Sequence, residues 1–289
     1  MNAPDRPVLR WHGGKWLLAP WIISHFPPHR VYVEPFGGAA SVLLRKPRAY
    51  AEIYNDLDDD VVNLFLVLRD DYAKNTGTTL IDHLIHTPFS RSEFSNAYLP
   101  TDDPIERARR LIIRSFQGFG SDGHNRARPT GFRACSNRSG TTPAHDWAHY
   151  PDVLEQIIKR VRGVVIENRP AIEVIRQQDG PETLHYVDPP YIWETRSTAK
   201  NSSRKNYRHE LSNDDHAQLL EVLCAVEGMV VLSGYAHPLY EQLLPGWHRF
   251  ERAALADGAR ERTEVLWINP AASAARATVQ HGLFDVAAA

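Results

Sequence analysis

The residues with the most specific chemistry in this chain are Asp188-Pro189-Pro190-Tyr191, which follow the apolar run 184–187. An aromatic amino group is a poor nucleophile because its lone pair is delocalised, so a site that acts on it must supply acceptors for its N–H bonds. The Asp188 carboxylate and the Pro189 carbonyl are such acceptors, since proline has no N–H and favours an extended backbone before it. Tyr191 adds a ring on which a planar base stacks. The four residues predict a site for an aromatic amine; the alternative is a Pro-rich turn that begins with Asp.

Two segments nearer the N-terminus lie at the ends of predicted strands, where a ligand can approach the backbone. Residues 31–39 run from a strand into a glycine-bearing turn and then a helix, and small residues in such a turn allow close approach. The next predicted strand ends at Asn55-Asp56, where an acid can bind ribose hydroxyls; the alternative role for Asp56 is a helix N-cap. The absence of G-x-G-x-x-G and of a P-loop lysine disfavours NAD and ATP.

These blocks, in this order, resemble those of the Dam-like DNA adenine methyltransferases, including phage and prophage members. The resemblance covers roughly residues 10–269 and is carried by Arg10-Trp11-His12-Gly13-Gly14-Lys15, Glu34-Pro35-Phe36-Gly37-Gly38-Ala39-Ala40-Ser41, Asn55-Asp56 and Asp188-Pro189-Pro190-Tyr191. Ala40 departs from the pattern, because the family has a second glycine there, and this implies slightly altered packing beside the cofactor.

The resemblance implies that the cofactor is S-adenosyl-L-methionine, converted to S-adenosyl-L-homocysteine, with no metal. Trp11 and Lys15 would contact the cofactor, Asp56 would hold its ribose, and its cradle would include Glu34, Phe36, Gly38 and Ala39. Asp188 would lie between cofactor and base, with Asp188 and Pro189 orienting adenine N6 and Tyr191 stacking on the base. The substrate would be double-stranded DNA with the target adenine extruded from the stack.

Several alternatives remain open from the sequence. The same chemistry would suit cytosine N4, RNA or a protein amide, and a non-catalytic DNA-binding regulator could share the fold. The recognised DNA sequence, the oligomeric state and the pairing with a restriction endonuclease are not determined by these motifs.

The region between the cofactor and catalytic blocks is rich in arginine, although the formal net charge of the chain is only −2. Residues 107–138 contain eight arginines and one acid, and residues 196–208 contain five basic residues and none. Such stretches are typical of phosphate contacts or of solvated loops. Phe116, Phe119 and Phe132 add aromatic surface, with core packing an equal alternative for Phe132. The predicted DNA-binding residues are Arg114, Arg126, Arg128, Arg133, Arg138, Arg204 and Lys205.

Alternating β-rich and helical segments predict an α/β fold, a Rossmann-like methyltransferase sheet with parallel strands and crossover helices. The predicted strands are 31–34, 51–54, 164–167, 184–187, 229–233 and 265–268. The predicted helices are 15–25, 39–46, 58–69, 104–116, 152–161, 171–178 and 213–226, the last capped by Ser212 with Asp215 at the capping-box position. The catalytic domain is assigned to 1–70 and 147–270, and a mainly helical and loop target-recognition subdomain to 71–146.

The remaining features concern the cellular setting. The sequence has no apolar run long enough to span a membrane and no signal peptide, which predicts a cytoplasmic protein. Cys135 and Cys224 have no ligand spacing, so neither a disulfide framework nor a zinc site is expected. Residues 271–289 are predicted to form a flexible tail, in which Gln280-His281-Gly282-Leu283-Phe284 is similar to peptides that bind the bacterial sliding clamp.

Overall fold

The chain divides into two units in a computed structural model that describes residues 3–71, 79–121, 126, 129–134, 140–196, 208–256 and 260–287. The first unit comprises Met1–Trp16, Gly38–Lys46 and Asp58–Asn168, and the second comprises Leu17–Gly37, Pro47–Leu57 and Arg169–Ala289. The predicted insert, 71–146, therefore falls inside a larger unit that includes residues on both sides of it.

The first unit is mainly helical. Its elements are α2 (Ser41–Arg45), α3 (Asp59–Asp71), α4 (Leu80–Ile85), α5 (Arg91–Asn96), α6 (Pro104–Gln117), α7 (Pro143–Ala148), α8 (Pro151–Val161) and strand β3 (Val165–Glu167). Helix α6 begins where the Asp103 carboxylate accepts hydrogen bonds from the Ile105 and Glu106 amides, with Pro104 at the first helical position. Both features satisfy or remove N–H groups that have no partner inside a helix.

The second unit contains the remaining strands. Its elements are α1 (Ala19–Ile23), β1 (Val31–Glu34), β2 (Ala51–Asn55), α9 (Ala171–Gln177), β4 (Thr183–Val187), α10 (Asn213–Ala225), β5 (Met229–Gly234), α11 (Pro238–Leu243), β6 (His248–Ala256), β7 (Arg260–Ile268) and α12 (Pro270–Ala287). These strands have the order β2-β1-β4-β5-β7-β6. The first four are parallel to one another, and β7 is antiparallel to both β5 and β6.

The α/β fold of Rossmann type is thus confirmed, with corrections to several predicted elements. The last predicted strand is antiparallel rather than parallel, β6 was not predicted, and α1 is shorter than the predicted helix 15–25. The segment expected to be a flexible tail is helical in α12 as far as Ala287.

The two faces of this sheet differ in chemistry. One face carries apolar side chains such as Val187, Leu232 and Trp267, which pack with Leu219 and Leu223 of α10 in a buried core cluster. The strand register sets the following buried polar residues on the other face: Tyr32, Glu34, Tyr186, Ser233 and Glu264. Burying a polar group costs folding free energy unless the group is hydrogen-bonded. A face with several such groups is therefore a candidate functional surface.

In the part of the chain that the structure describes, no helix is long and apolar enough to cross a membrane. Across the same part of the chain, no group of three or more His, Cys, Asp and Glu side chains is arranged to hold a metal ion.

Candidate active site

The Asp-Pro-Pro-Tyr motif lies at the point of the sheet where the strand order reverses. The chain adds β2 on one side of β1 and later places β4 on the other side. In open parallel sheets, ligands bind outside the carboxyl ends of the strands at this switch point. Glu34 ends β1, Asp56 follows β2 and Asp188 follows β4, so three carboxylates lie along one edge of the second unit.

Asn55 holds the turn that follows β1. Its side-chain amide donates to the carbonyls of Pro35 and Arg169, at 2.9 and 3.0 Å, and its Oδ1 accepts from the Arg169 amide at 2.9 Å. Its own carbonyl accepts from the Gly37 amide at 2.8 Å. A Cβ on Gly37 would lie 2.1 Å from the ring of Tyr54, so only glycine fits there. Asn55 therefore positions the turn, a role that the sequence reading had not assigned.

The turn continues into the first unit at Gly38, which has a φ of 47°. A Cβ on Gly38 would lie 2.7 Å from Nε1 of Trp11, so the glycine allows the indole to approach the backbone closely. Lys15 is buried, and its Nζ donates to the Gly13 carbonyl at 2.9 Å. Ala40 adopts the left-handed conformation, with φ 53° and ψ 33°, which explains why a glycine suits this position.

The predicted cofactor residues thus belong to both units. Trp11, Lys15, Gly38 and Ala39 belong to the first unit, and Glu34, Phe36, Asp56 and Asp188 belong to the second. Their roles toward a cofactor stay predictions.

Tyr191 is buried, and its hydroxyl is hydrogen-bonded inside the second unit. The hydroxyl contacts Ser233 Oγ at 2.9 Å and donates to Oε1 of Glu264. Ser233 Oγ also donates to Glu264 Oε1, at 2.9 Å. The ring of Tyr191 packs edge-on against Tyr235, with centroids 4.7 Å apart. Ser233 and Glu264 were missed in the sequence, where the available signal was a polar residue within or beside a buried apolar strand.

The backbone of the motif is held by Arg196, whose guanidinium donates to the Tyr191 carbonyl. Arg196 is buried and also pairs with Glu210 at 2.8 Å. It had been counted in the basic stretch 196–208, and its guanidinium is instead used within the protein. Lys200, Arg204 and Lys205 lie outside the described residues.

The tyrosines near the motif are held in their protonated form. Burial raises the pKa of Tyr191 well above its ordinary value, and the carboxylates of Asp188 and Glu264 raise it further. Burial, followed by Asp188 and Glu34, has the same effect on the pKa of Tyr186. Tyr32 donates to Glu34 at 2.8 Å. These phenols therefore stay protonated at neutral pH, and those of Tyr32 and Tyr191 donate hydrogen bonds to carboxylates.

The arginines of the first unit form ion pairs within it. Asp60 of α3 binds Arg107 at 2.5 Å, Arg126 at 2.9 Å and Arg114 at 3.4 Å. Burial alone would raise the pKa of Asp60, but these arginines hold it below its usual value.

Arg114 is a correction to the predicted DNA-binding set. Its side chain is fully buried, Nη1 donates to the Ala97 carbonyl at 2.7 Å, and burial lowers its pKa to about 10. A guanidinium enclosed in this way cannot reach a phosphate. Arg114 lies on the buried face of α6, but its charge led to the prediction that it would be exposed.

The other predicted DNA-binding residues have different positions. The Arg126 side chain is 31% exposed while paired with Asp60, and Arg133 is half-buried. Arg128, Arg138, Arg204 and Lys205 lie outside the described residues. Among the aromatics, Phe116 is buried, Phe132 packs against Phe89 and Phe94, and Phe119 is 72% exposed.

A Rossmann-type sheet with carboxylates at its strand ends and Asp-Pro-Pro-Tyr at the switch point has the features of the α/β methyltransferase class. Residues 11–228 match the family model described as D12 class N6 adenine-specific DNA methyltransferase. The match covers well over half of the chain, and the chain belongs to this family.

Curated relatives agree with the family match. The chain is 31% identical over 102 residues to the DNA adenine methylase of Serratia marcescens, covering 33% of this chain and 37% of the relative. It is 29% identical over 122 residues to the DNA adenine methylase of Haemophilus influenzae, covering 41% and 42%. For the DNA adenine methylase of Escherichia coli K12 the identity is 28% over 122 residues, covering 40% and 42%. The matched region thus spans about two fifths of the length of these relatives.

Proposed function

We propose that this protein transfers the methyl group of S-adenosyl-L-methionine to N6 of adenine in double-stranded DNA. The observation that carries the proposal is the position of Asp188-Pro189-Pro190-Tyr191 at the switch point of the sheet, with Glu34 and Asp56 on the same edge. Family membership and the similarity to DNA adenine methylases support the choice of adenine in DNA.

The residues present fit S-adenosylmethionine. A Cβ on Gly37 would meet the ring of Tyr54, so this position must be glycine, and a turn without a side chain leaves its backbone accessible to a ligand. The Asp56 carboxylate suits ribose hydroxyls. The residues that would hold the cofactor are Trp11, Lys15, Glu34, Phe36, Gly38, Ala39, Asp56 and Asp188. When bound, the cofactor supplies a methyl group activated by its sulfonium charge, and S-adenosylhomocysteine is the product.

The chemistry left to the protein is mostly positioning. The Asp188 carboxylate and the Pro189 carbonyl accept hydrogen bonds from the adenine amino group, which fixes its orientation and increases the electron density on N6. Tyr191 supports the same pocket. A stacked base cannot reach such a pocket, so the target adenine is extruded from the duplex.

DNA binding is assigned to the first unit and to the basic stretch of sequence 196–208 after the motif. Residues 71–146 serve as the target-recognition region. The proposed contacts are Arg126, Arg128, Arg133, Arg138, Arg204 and Lys205, with Phe119 as exposed aromatic surface.

The test is single-molecule sequencing of DNA from cells that express the protein or a variant. Wild-type protein should give N6-methyladenine at a defined sequence, and Asp188→Ala should give none while keeping its circular dichroism spectrum. Asp152→Ala, at an exposed position of α8, should match wild type. DNA without modified adenine from the wild-type strain would contradict the proposal. N4-methylcytosine in its place would support the alternative substrate.

We further propose that residues 280–284 bind the bacterial sliding clamp. The proposal rests on the similarity of Gln280-His281-Gly282-Leu283-Phe284 to clamp-binding peptides. Purified clamp should retain the full chain on a column and release the Leu283→Ala/Phe284→Ala double variant. Equal retention of both proteins would remove the proposal.

A further inference from the structure

We infer that Glu264, together with Ser233, is a positioning residue that fixes Tyr191 of the Asp-Pro-Pro-Tyr motif for methyl transfer. The inference concerns the site described above and rests on the proposed function. It assigns a specific task to a buried carboxylate on β7, 73 residues beyond the tyrosine that it contacts.

The strand register brings these groups together. Ser233 of β5 lies opposite Leu266 of β7, and Glu264 lies two residues before Leu266. Because side chains alternate along a strand, Glu264 and Ser233 project from the same face of the sheet. This is the polar face that also carries Tyr186 of β4, whose next residues lead into the motif. The contact is therefore set by three strands: β4 leads into Tyr191, β5 carries Ser233, and β7 carries Glu264.

A carboxylate in this position is costly unless it is well bonded. Glu264 is 3% exposed and Ser233 is fully buried. Oε1 of Glu264 accepts from both the Tyr191 hydroxyl and the Ser233 hydroxyl, and hydrogen bonds to an ionised acceptor are stronger than neutral ones. A phenol bound in this way is fixed more firmly than by an apolar pocket of the same shape.

The restraint on Tyr191 extends to the acceptors of the motif. Its hydroxyl is held by Glu264 and its carbonyl by Arg196. Pro189 and Pro190 separate it from Asp188, and each has its φ fixed by the ring. With one end held and the intervening residues stiff, the Asp188 carboxylate and Pro189 carbonyl have little freedom. Loss of the Glu264 contact should therefore misplace the acceptors. This should lower kcat more than it weakens cofactor binding, since seven residues besides Asp188 would hold the cofactor.

A double-mutant cycle between Tyr191→Phe and Glu264→Gln tests this coupling. Glu264→Gln should lower kcat by roughly ten- to hundredfold with little change in the KM for S-adenosylmethionine. Ser233→Ala should lower kcat by a smaller factor. In the Tyr191→Phe background, which has no hydroxyl to hold, Glu264→Gln should cost less than about threefold. The matched control is Glu251→Gln, an exposed carboxylate on β6 paired with Arg249, which should leave kcat unchanged.

Equal losses in both backgrounds would overturn the inference, because they would show that Glu264 acts independently of the Tyr191 hydroxyl. A second measurement does not depend on turnover: the ¹³Cζ resonance of labelled Tyr191, assigned by its loss in Tyr191→Phe, should shift in Ser233→Ala and Glu264→Gln but not in Glu251→Gln. An unmoved resonance would also overturn the inference. If wild-type protein methylates no DNA, the proposed function fails, and the resonance alone decides whether Glu264 holds Tyr191.

Discussion

Ala40 shows how a single residue in the glycine turn carries a conformational cost. The left-handed conformation costs a residue with a Cβ about 1–2 kcal/mol, and Ala40 has a φ of 53°. Its methyl group is also fully buried, which recovers roughly 0.8 kcal/mol of that cost. The family resemblance identified the position as unusual, but the backbone angle was needed to show why.

Ala40→Gly should therefore change the free energy of unfolding by less than about 0.5 kcal/mol. Relief of the left-handed strain is offset by the lost methyl burial and by the greater freedom of glycine in the unfolded chain. Ala39→Gly is the matched control, since Ala39 is buried and lacks a positive φ. It should destabilise the protein by more than about 1 kcal/mol in urea unfolding. Equal losses at the two positions would show that Ala40 is not strained.

His216 provides a prediction on pH. Burial, with the nearby charge of Arg196, lowers the pKa of His216 to about 4, and its Nδ1 lies 3.0 Å from the Tyr240 hydroxyl. The folded state holds the ring neutral, whereas the unfolded chain takes up a proton below about pH 6.5. The stability that depends on the neutral ring is therefore complete above pH 6.5 and is lost as the pH falls toward 4.

His216→Gln removes this proton uptake from the unfolding equilibrium. The difference in the free energy of unfolding, wild type minus variant, should decrease by up to about 3 kcal/mol as the pH falls from 6.5 to 4. Comparing the two proteins removes the contribution of the other histidines, which are common to both. Parallel curves over this range would show that His216 is not the group responsible.

At the scale of elements, strands with short apolar runs were predictable, and the polar edge strand β6 was not. β1, β4 and β5 read as short apolar runs because both of their faces are covered, and their bounds were found within a residue. β6 was missed because it is an edge strand whose described side chains are mostly exposed, including the paired Arg249 and Glu251. Such a strand has neither the apolar run nor the alternation that identifies a strand.

The residues on the polar face are the part of the candidate site that could not be predicted from the sequence. Ser233 and Glu264 are distant in sequence from Tyr191, and their contact depends on the register of β5 with β7. That register requires the antiparallel direction of β7, which was predicted wrongly. The motif itself was local in sequence, so it was found; its supporting residues are products of the fold.

The start of α10 is a local feature that was predicted and is confirmed. The Ser212 hydroxyl accepts from the Asp215 amide, and the Asp215 side chain accepts from the Ser212 amide. Ser212→Ala should lower the unfolding free energy by about 1 kcal/mol, because it leaves N–H groups of the first turn without their side-chain acceptor. Ser95→Ala, at an exposed position within α5, should be neutral or slightly stabilising. A similar loss at both serines would argue against a capping contribution.

At the scale of the whole molecule, the arginine content overstates the charge available to the proposed DNA substrate. Arg107, Arg114 and Arg126 share Asp60, while Arg109 and Arg110 both bind Glu106. A stretch with eight arginines and one acid in sequence thus finds its counter-charges on α3 and within α6. The number of arginines alone cannot predict how many phosphates are neutralised.

The salt dependence of the proposed DNA binding would separate arginines that bind phosphate from those that stabilise the fold. Each phosphate contact contributes about 0.9 to the slope of log affinity against log salt. Arg133→Ala, at a proposed DNA contact, should make the slope shallower by about that amount and leave the melting temperature nearly unchanged. Arg110→Ala should do the reverse, since Arg110 binds Glu106 and the carbonyls of Leu99 and Pro100. Fluorescence anisotropy at four or more salt concentrations measures the slopes. A shallower slope for Arg110→Ala than for Arg133→Ala would show that Arg110, and not Arg133, contacts phosphate.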